Sequence, residues 1–589
     1  MAEGQSASTG GGAIIRRLVI QRFRGIQSLE WRPKPGLNVI LGGGDAGKTT
    51  ILEAIALLLN PSNATVLAEA DYFGGDRGKT FRIGAVMSLP PSSGVDHQPS
   101  HLFPWTWNGK DAVEPKFDGD DPSVAGQEVY KFCVTGSPEL DLTYEVLGPG
   151  DKVDRFSPNL RRQIGLVRLS GDDRNDRDLR LVQGSALDRL LSDPSLRSRF
   201  SAKFSGAELK ADLEADGQAA LQALDDAFRD RALPHDLGLG LNAQQGQSIG
   251  ALVGLTATSG EARLPLASWG AGTRRLAALA IAQASRTGAP ITLIDEAERG
   301  LEPYRQRKLV GDLLKGSSQV FMTTHSAAVL SAAEGAHLWH LVQGSTIGEL
   351  ATDKIALHQK ADPETFLARL AIVCEGPTEI GFLRFVLEQR LSGDLLDRGI
   401  KFCNAGGNAF ALELIEEMVE AGFNVVGLVD DENEKKGRWT ALKSKMGAHL
   451  LQWPGGCTEE MVIGRLDETR FDALIADPER GRAPARLKSL VERLAAAKPD
   501  LAPVELSFEA IKAAAGADLK ALVIAAASGS AKGAPATAEK TWKKHGRAWF
   551  KSESGGRELA GKARTFDVLP KLEDWLGPLV TAIDKTSAE

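Results

Sequence analysis

Residues 42–49 read Gly-Gly-Gly-Asp-Ala-Gly-Lys-Thr and match the pattern G-x-x-x-x-G-K-[ST]. The preceding residues 36–41, GLNVIL, predict a buried strand, and the following residues 49–59, TTILEAIALLL, predict a buried helix. A glycine-rich loop between a strand and a helix turns its backbone N–H groups inward, and the helix N-terminus adds positive potential there. This stretch therefore predicts an α/β fold with a phosphate-binding loop.

The loop and the first residues of the helix supply the predicted nucleotide contacts. The Lys48 ammonium would neutralise β- and γ-phosphate oxygens, and the Thr49 hydroxyl would ligate Mg²⁺. Because a strand and a helix flank the motif, a chance match to a glycine-rich turn is the less favoured interpretation. We therefore expect ATP to contact Gly42, Gly44, Gly47, Lys48, Thr49 and Thr50.

Two later strands are predicted to end beside this loop. Residues 291–296, ITLIDE, form an apolar strand that ends in Asp295 and Glu296. Unpaired acids at the end of a buried strand are costly, so a packing role is disfavoured. Asp295 would hold Mg²⁺ through water, and Glu296 would orient or deprotonate the attacking water. The strand at 319–322 precedes His325, which would sense the γ-phosphate and hydrogen-bond the same water.

Upstream of these strands, the run LASWGAGTRR opens an Ala/Leu-rich helix. The chain resembles ATP-binding-cassette ATPases in four features taken together. They are this Ser-x-Gly-x-Gly signature, the phosphate-binding loop, the strand that ends in two acids, and the His at the end of the next strand. The branch in question includes the structural-maintenance and RecF-type repair proteins, although SWGAG departs from the usual LSGGQ. The resemblance implies that Ser268, Gly270 and Gly272 complete the ATP site of a second subunit, so that ATP joins two heads in a homodimer. It also implies that Arg24, in a Phe-Arg-Gly run, lies near the nucleotide.

The second half of the chain carries acids after two predicted strands. Glu375 and Glu379 follow the strand at 370–373, and the strand at 423–429 ends in Asp430-Asp431-Glu432. In a parallel sheet, both groups reach the carboxyl edge, where ligand sites form. Taken singly, such acids more often cap helices, but a cluster of carboxylate oxygens suits Mg²⁺ or Mn²⁺.

This acidic pattern resembles a Toprim domain, the metal-binding fold of topoisomerases, primases and a group of nucleases. An ATPase head followed by Toprim on one chain resembles the OLD (overcoming lysogenization defect) nucleases, from about residue 14 to 580. The resemblance implies two divalent metals, Mg²⁺ or Mn²⁺, that activate water and stabilise the leaving oxygen. It assigns Glu375 as metal ligand or general base and Lys551 as the cation that stabilises the scissile phosphate. The other implied metal ligands are Glu379, Asp430, Glu432 and Glu459, with Asp431 as the competing candidate.

The expected fold class is α/β, with an ATPase head of the RecF and structural-maintenance type followed by a Toprim domain. A change to helical periodicity indicates an insertion within the head, which we expect to serve dimerisation. The predicted organisation is a disordered tail at 1–13, a first part of the head at 14–152, a helical insertion at 153–235, a second part of the head at 236–355, and a Toprim domain with a C-terminal helical extension at 366–589.

Composition excludes several classes of protein. Hydrophobic residues are 42% and charged residues 25% of the chain, which is typical of a globular protein and not of a disordered one. No apolar run is long enough to span a membrane. Four cysteines without a CxxC spacing favour a reduced, cytoplasmic setting. The net charge of −7 gives no global signal for nucleic acid, but it allows a local basic channel.

The resemblance to the OLD nucleases implies an ATP-binding, divalent-metal-dependent DNA endonuclease with a role in prokaryotic defence against phage or plasmids. The expected partners are DNA, a second copy of the chain or a higher homo-oligomer, and a helicase encoded nearby. The alternative is a RecF-like DNA-repair ATPase clamp with a non-cutting Toprim domain, which the retained acids Glu375, Asp430 and Glu432 disfavour. A topoisomerase-type strand passer is also disfavoured, because the second half contains no tyrosine.

Overall fold

The computed structural model forms two compact units. One comprises Met1–Ala351 with Gln359–Pro363, and the other comprises Thr352–His358 with Glu364–Glu589. The residues that the structure describes are 12–62, 65–90, 95, 104–115, 127–169, 178–182, 185–191, 213–241, 253–260, 262–284, 289–343, 346–351, 353–432, 434–498 and 503–588.

Strands dominate the first unit. They are β1 Ile14–Phe23, β2 Ile26–Trp31, β3 Leu37–Leu41, β4 Phe81–Ser88, β5 Trp105–Trp107, β6 Ala112–Val113, β7 Glu128–Gly136, β8 Leu142–Leu147, β9 Val153–Arg155, β10 Leu166–Leu169, β11 Gly238–Leu241, β12 Val253–Ser259, β13 Ala262–Pro265, β14 Ile291–Ile294, β15 Val320–Thr323, β16 His337–Val342 and β17 Thr346–Leu350. The helices are Lys48–Leu58, Pro158–Ile164, Ala186–Leu191, Ala215–Asp230, Ala271–Gln283, Pro303–Lys315 and Ala327–Ala332.

A six-stranded sheet in the order β10-β14-β15-β3-β16-β17 carries the nucleotide motifs. Its first five strands are parallel, and β17 pairs with β16 in the antiparallel sense. Parallel strands end at the same edge of a sheet. The loop after β3, the acids after β14 and the His after β15 therefore meet at one edge.

The P-loop helix Lys48–Leu58 lies between this sheet and an antiparallel sheet. It contacts β14 and β15 on one side and β1, β4 and β7 on the other. The antiparallel sheet has the order β2-β1-β4-β7-β5-β6, with β8 and β9 continuing from β7. A helix covered on both sides has no face for water, which explains why its sequence is apolar almost all round.

One sequence-based boundary in this unit needs correction. The segment 153–235, which was predicted to be a helical insertion, contains β9, the helix Pro158–Ile164 and β10. Because β10 pairs with β14 in parallel, it belongs to the six-stranded sheet, and the insertion begins after Leu169.

The remainder of the predicted insertion contains two helices among its described residues. The helices Ala186–Leu191 and Ala215–Asp230 lie there, and the second buries Leu221, Leu224 and Phe228 on one face. Residues 170–177 and 192–212 of the insertion, and residues 1–11 of the predicted tail, lie outside the described residues. Dimerisation through this segment stays a prediction.

The second unit has a four-stranded sheet in the order β19-β18-β20-β21, and every pair in it is parallel. Its strands are β18 Leu370–Cys374, β19 Ile400–Asn404, β20 Val425–Val429 and β21 Leu450–Gln452. Its helices are Pro377–Arg390, Asn408–Glu420, Lys436–Met446, Thr458–Ile463, Phe471–Ile475, Ala483–Ala497, Phe508–Ala515, Leu519–Ser528, Glu539–His545, Glu553–Thr565 and Glu573–Ala588, and Asp353–Ala361 precedes them. In neither unit do the described residues include a helix long and apolar enough to cross a membrane.

Candidate functional site

The phosphate-binding loop has the backbone that its glycines allow. Gly42 has a φ of +143° and Gly47 a φ of +98°, values that residues with a Cβ rarely adopt. A Cβ on Gly42 would also lie 2.7 Å from the carbonyl oxygen of Leu341. The Lys48 ammonium donates to the carbonyl oxygens of Gly42 at 2.9 Å and Gly43 at 2.6 Å. The lysine is therefore aimed along the loop, where phosphate oxygens would compete for it.

The loop and the acidic strand end are in direct contact. The Thr49 hydroxyl donates to the two carboxylate oxygens of Asp295 at 3.2 and 3.1 Å. The Thr323 hydroxyl, at the end of β15, donates to Asp295 at 2.6 Å. A hydroxyl and a carboxylate side by side are the hard oxygen donors that Mg²⁺ takes in nucleotide sites. The donor set therefore fits the predicted Mg²⁺ at Thr49 and Asp295.

Glu296 follows Asp295 in a left-handed backbone conformation with a φ of +49°. Its N–H donates to the Thr323 hydroxyl at 2.9 Å, and its exposed carboxylate lies 3.4 Å from the Arg299 guanidinium. A non-glycine residue at this φ is uncommon, and here it directs the side chain away from the strand into solvent at the sheet edge. Such a placement suits a group that handles the attacking water.

His325 is positioned by Glu298, which sequence reasoning missed. The Glu298 carboxylate accepts from the His325 backbone N–H at 2.8 Å and from the Thr324 hydroxyl at 2.6 Å.

Burial lowers the pKa of Lys48, and the carboxylates of Asp295, Asp45, Glu298 and Glu296 oppose that shift. Four carboxylates therefore act on the Lys48 ammonium at this edge.

The SWGAG run packs closely against the loop that follows β14. Helix Ala271–Gln283 begins directly after Gly270, and a Cβ on Gly272 would lie 2.1 Å from the carbonyl oxygen of Gly300. Arg275, only 3% exposed, donates to the carbonyl oxygens of Asp295 and Arg299. The Ser268 hydroxyl donates to Pro265 at 2.7 Å. Arg275 was not among the predicted residues, because an Arg after a glycine-rich run reads as a solvated charge.

Arg24 is paired with an acid of its own unit. It has a φ of +50°, and its guanidinium donates to Asp71 at 2.9 Å, while its N–H donates to the Asp71 carbonyl. The predicted place of Arg24 near the nucleotide stays a prediction.

In the second unit, Glu375 and Asp430 are brought together at the carboxyl ends of β18 and β20. The Glu375 carboxylate accepts from the Asp430 N–H and from the Asn408 amide, both at 3.0 Å. The same amide donates to the Asp430 carbonyl at 2.9 Å, and the Trp439 indole donates to the Asn408 side-chain oxygen at 3.0 Å. Asn408 therefore fixes the Glu375 carboxylate and the main chain of Asp430. Sequence reasoning assigned no role to Asn408.

Glu379 and Glu459 complete a buried group of carboxylates with Asp430. Their exposed fractions are 3%, 0% and 7% for Glu379, Glu459 and Asp430. Burial raises the pKa of Glu379 to about 7, and Glu459 contributes to that shift. Burial also raises the pKa of Asp430 well above its ordinary range, and Glu379, Glu375 and Glu459 add to the effect. These carboxylates are therefore close enough to repel one another.

Lys551 supplies the positive charge of this site. Its ammonium lies 3.3 Å from the Glu459 carboxylate, which also accepts from the Thr378 hydroxyl at 3.4 Å. Burial opposes the charged form of Lys551, but Glu459 and the neighbouring acids outweigh it and raise the pKa of this lysine. Glu459 and Lys551 thus lie beside the acids that follow β18 and β20.

Glycines in two helices allow Lys551 to reach the site. A Cβ on Gly381 would lie 1.8 Å from the Glu553 carbonyl oxygen, and a Cβ on Gly556 would lie 2.0 Å from the Thr378 carbonyl oxygen. Helices Pro377–Arg390 and Glu553–Thr565 therefore pack with their backbones in contact. The Ser-Glu-Ser-Gly-Gly run after Lys551 is the sequence signal that could have indicated this packing.

Asp431 and Glu432 are less buried than Glu379, Asp430 and Glu459. The Asp431 N–H donates to the Gly456 carbonyl at 3.1 Å, and Glu432 is exposed. Burial, followed by Glu375, raises the pKa of Glu432.

The carboxylates of the second unit have the chemistry of ligands for a divalent metal. Within the part of the chain that the structure describes, no three His, Cys, Asp or Glu side chains already converge closely enough to hold a metal ion. However, among the described residues no hydrogen-bond partner contacts the buried Oε1 of Glu379. Buried, mutually repelling carboxylates with a free oxygen are the donors that a hard cation stabilises. The residues therefore fit a divalent metal that would draw the side chains together.

Two family models match the first unit. The model described as "AAA domain, putative AbiEii toxin, Type IV TA system" matches residues 154–331, and the model described as "AAA domain" matches residues 17–69. These ranges contain the SWGAG helix, the Walker B strand and the P-loop. The first unit is therefore an α/β ATPase head of the AAA/ABC type.

Curated relatives match a short segment of the chain. The DNA replication and repair protein RecF of Stenotrophomonas maltophilia (strain R551-3) is 48% identical over 44 residues, which are 8% of this chain and 12% of the relative. The RecF protein of Anaeromyxobacter dehalogenans (strain 2CP-1 / ATCC BAA-258) is 43% identical over 63 residues, 10% of this chain and 17% of the relative. The chain thus spans less than a fifth of the length of these relatives.

Solved structures give low similarity scores. An Smc head bound to the C-winged helix domain of ScpA has a TM-score of 0.38 at 15% identity, covering 58% of this chain and 98% of that one. The recombination mediator protein RecF-ATPrS in the RecFOR pathway has a TM-score of 0.36 at 14% identity, covering 58% of this chain and 100% of that one.

Proposed function

We propose that this chain is an ATP-binding, divalent-metal-dependent DNA endonuclease of the OLD type, whose second unit is a Toprim domain that nicks or cleaves DNA. The observation that carries the proposal is the buried carboxylate group of Glu379, Asp430 and Glu459 with Lys551 beside it. A packing role does not account for it, because unneutralised buried acids cost stability. Sites that use perturbed carboxylates in catalysis do account for it.

The residues of the second unit divide the work of phosphodiester hydrolysis. The Asn408 amide holds the Glu375 carboxylate and the Asp430 main chain, and the Thr458 backbone N–H donates to the Asp430 carboxylate at 3.2 Å, so both acids would need little reorganisation when ligands bind. Glu379 and Glu459 add two further anionic donors. When bound, divalent metal would lower the pKa of water and neutralise phosphate oxygens. Lys551 would meet the negative charge that develops on the scissile phosphate.

The ATPase head is proposed to bind ATP and Mg²⁺ through Lys48, Thr49 and Asp295. Glu296 would handle the attacking water, with His325 beside it. A homodimer would form when the SWGAG helix of one copy meets the ATP held by the other. DNA is the proposed substrate, a helicase encoded nearby is a proposed partner, and defence against phage or plasmids is the proposed role.

A RecF-like DNA-repair clamp is the second candidate. The short stretches shared with two RecF proteins favour it. In this alternative the acids of the second unit would be structural.

The test is nicking of supercoiled plasmid by the full chain with Mg²⁺ or Mn²⁺, measured beside phosphate release from ATP. Glu375→Ala and Asp430→Ala should each lower nicking by several orders of magnitude, because a metal is lost or misplaced. Both should leave ATP hydrolysis near the wild-type rate, since the acids lie in a separate compact unit. Chelation with EDTA should abolish nicking.

The matched control is Glu420→Gln, an exposed acid on the helix Asn408–Glu420 of the same unit. It should nick at the wild-type rate. If Glu375→Ala and Asp430→Ala also nick at the full rate, the carboxylate site is not the nuclease, and the clamp is the better description. A parallel series of Asp430→Asn, Asp431→Asn and Glu432→Gln identifies which of the three acids is required.

A further inference from the structure

The segment 530–551 is a basic stretch of an acidic chain. It contains six Lys or Arg residues and one Glu, whereas the whole chain has a net charge of −7. Such a run is most often a solvated face. Its position and its fixed backbone distinguish this one.

Three of these cations lie on one side of the helix Glu539–His545. Lys540 and Lys544 are four residues apart, and the Arg547 N–H donates to the Lys544 carbonyl at 3.1 Å, which continues the turn. All three are exposed, while Trp542 and His545 on the opposite side are buried. We call Lys540, Lys544 and Arg547 the basic strip.

The basic strip carries unneutralised charge within the described part of the chain. Lys543, the neighbouring lysine, is paired with Glu539 at 2.7 Å. Among the described residues no carboxylate forms an ion pair with Lys540, Lys544 or Arg547. Three unpaired, exposed cations on one side of a helix repel one another, so they favour an anionic partner.

A buried arginine fixes the backbone that carries the strip. The Arg493 guanidinium is 1% exposed as a residue and donates to the carbonyl oxygens of Ser530 at 2.8 Å and Trp542 at 3.0 Å. It also donates to the His545 ring at 3.0 Å, and the other nitrogen of that ring lies 2.9 Å from Glu492. The helix is thus held at several points, and its cations project from a preorganised support.

The basic strip leads directly to the carboxylate site. The Lys551 N–H donates to the Gly546 carbonyl at 3.1 Å, and a Cβ on Gly546 would lie 2.8 Å from the Lys551 side chain. Arg547 is therefore next to the turn that places Lys551 against Glu459. An anionic site that acts on a polyanion needs cations beside it, because the acids alone would repel the substrate.

We propose that the basic strip is the docking surface for the phosphodiester backbone of double-stranded DNA, and that it delivers one strand to the carboxylate site. The proposal rests on the nuclease function above. Four residues of helix rise about 6 Å, and duplex DNA carries one charge for about every 1.7 Å of axis, so Lys540 and Lys544 can each meet a phosphate. The contacts would be independent of base sequence, because they involve no base edge.

The test compares two variants of the full chain by fluorescence anisotropy with a labelled DNA duplex, in EDTA and at a series of salt concentrations. In the strip variant Lys540, Lys544 and Arg547 are each changed to Gln. In the control, Lys445, Lys512 and Lys585 are each changed to Gln, which removes the same charge at exposed positions elsewhere in the unit. The slope of log association constant against log salt concentration is negative, and each lost phosphate contact should reduce its magnitude by about 0.9. For the strip variant we expect the magnitude to decrease by about 2.7 and the affinity to drop more than tenfold at 0.1 M salt. We expect little change for the control.

An unchanged slope in the strip variant overturns the proposal, as does an equal loss in the control, which would indicate a general charge effect. If an RNA duplex of the same length binds more tightly and shows the same dependence on the strip, the assignment to DNA is wrong. ATP hydrolysis by the strip variant should match the wild type, which verifies folding.

Plasmid nicking by Glu375→Ala on the same preparations separates the two proposals. If Glu375→Ala binds DNA but does not nick it while the strip variant keeps its slope, the nuclease function stands and the docking surface does not. If the strip variant loses DNA binding but the wild type does not nick with any metal, the docking surface stands and the nuclease function does not.

Discussion

Glu379→Gln should stabilise the second unit at alkaline pH, an unusual outcome for a buried substitution. Glu379 is 3% exposed, and among the described residues its Oε1 has no hydrogen-bond partner. Burial, with Glu459 adding to it, raises the pKa of this carboxyl from 4.5 to about 7. Glutamine has nearly the same shape and no charge, so it removes the cost of the buried anion.

The magnitude follows from the pKa difference. At about 1.4 kcal/mol per pH unit, the change from 4.5 to about 7 corresponds to about 3 kcal/mol. The protonated carboxyl is favoured in the folded state, so its contribution is fully present below pH 4.5 and is lost as the pH rises through about 7. The glutamine variant should therefore be more stable than the wild type by about 3 kcal/mol at pH 8.5 and by less than about 1 kcal/mol at pH 5.0.

The measurement is hydrogen exchange in EDTA of peptides from the helix Pro377–Arg390, which contains Glu379. After correction for the pH dependence of intrinsic exchange, it gives the free energy of local unfolding of this helix. Addition of Mg²⁺ should reverse the order, because only the carboxylate gains from a cation, and nicking should be lost. Glu420→Gln, the exposed control, should match the wild type at both pH values. A glutamine variant that is destabilised equally at pH 5.0 and 8.5 would refute the reasoning, since the carboxylate would then have a favourable partner.

Three further substitutions test the remaining contacts. Lys48→Ala should abolish ATP binding in a fluorescent-nucleotide titration, because the loop loses its cation, while the unfolding of the second unit stays unchanged. Glu296→Gln should bind ATP but release phosphate at least about a hundredfold more slowly, since general acid–base groups contribute on the order of 10²–10⁴ to the rate. Gel filtration of this variant should then show ATP-dependent dimers. Phosphate release at the wild-type rate would contradict the assignment of Glu296. Asn408→Leu leaves the Trp439 indole and the Asp430 carbonyl without partners at about 1–3 kcal/mol each; urea unfolding of the second unit should detect that loss, and an unchanged midpoint would rule out a positioning role.

Local sequence was sufficient for the strands and helices that carry the motifs. GLNVIL contains β3, and TTILEAIALLL lies in the helix Lys48–Leu58 and just beyond its end. The shorter apolar run favours a strand and the longer one favours a helix, because strands and helices differ in their usual lengths. The acids after β14, β18 and β20 were located in the same way, since strands end where charged residues begin. The order of these motifs along the chain then predicted which edges would carry sites.

Pairing between distant segments was decided only by the tertiary structure. β10 joins β14 across more than 100 residues, so a segment that reads as part of a helical insertion belongs to the ATPase sheet. Asn408 and Glu298 hold the predicted acids and His325 in place, yet each looks like an ordinary polar residue in its own stretch of sequence. Hydrogen bonds across the fold depend on which strand lies next to which, and that information is not local.

The sequence by itself determined which residue types stand at the ends of the strands, and hence the chemistry available at each edge. The tertiary structure alone decided which of them meet: Lys551 reaches Glu459 because Gly381 and Gly556 let two helices touch, and Glu379 titrates near pH 7 because the surrounding fold removes water from it. The physical reason is that the type of each side chain is fixed locally by the sequence, whereas its exposure to water and its distance from other charges depend on how the whole unit packs.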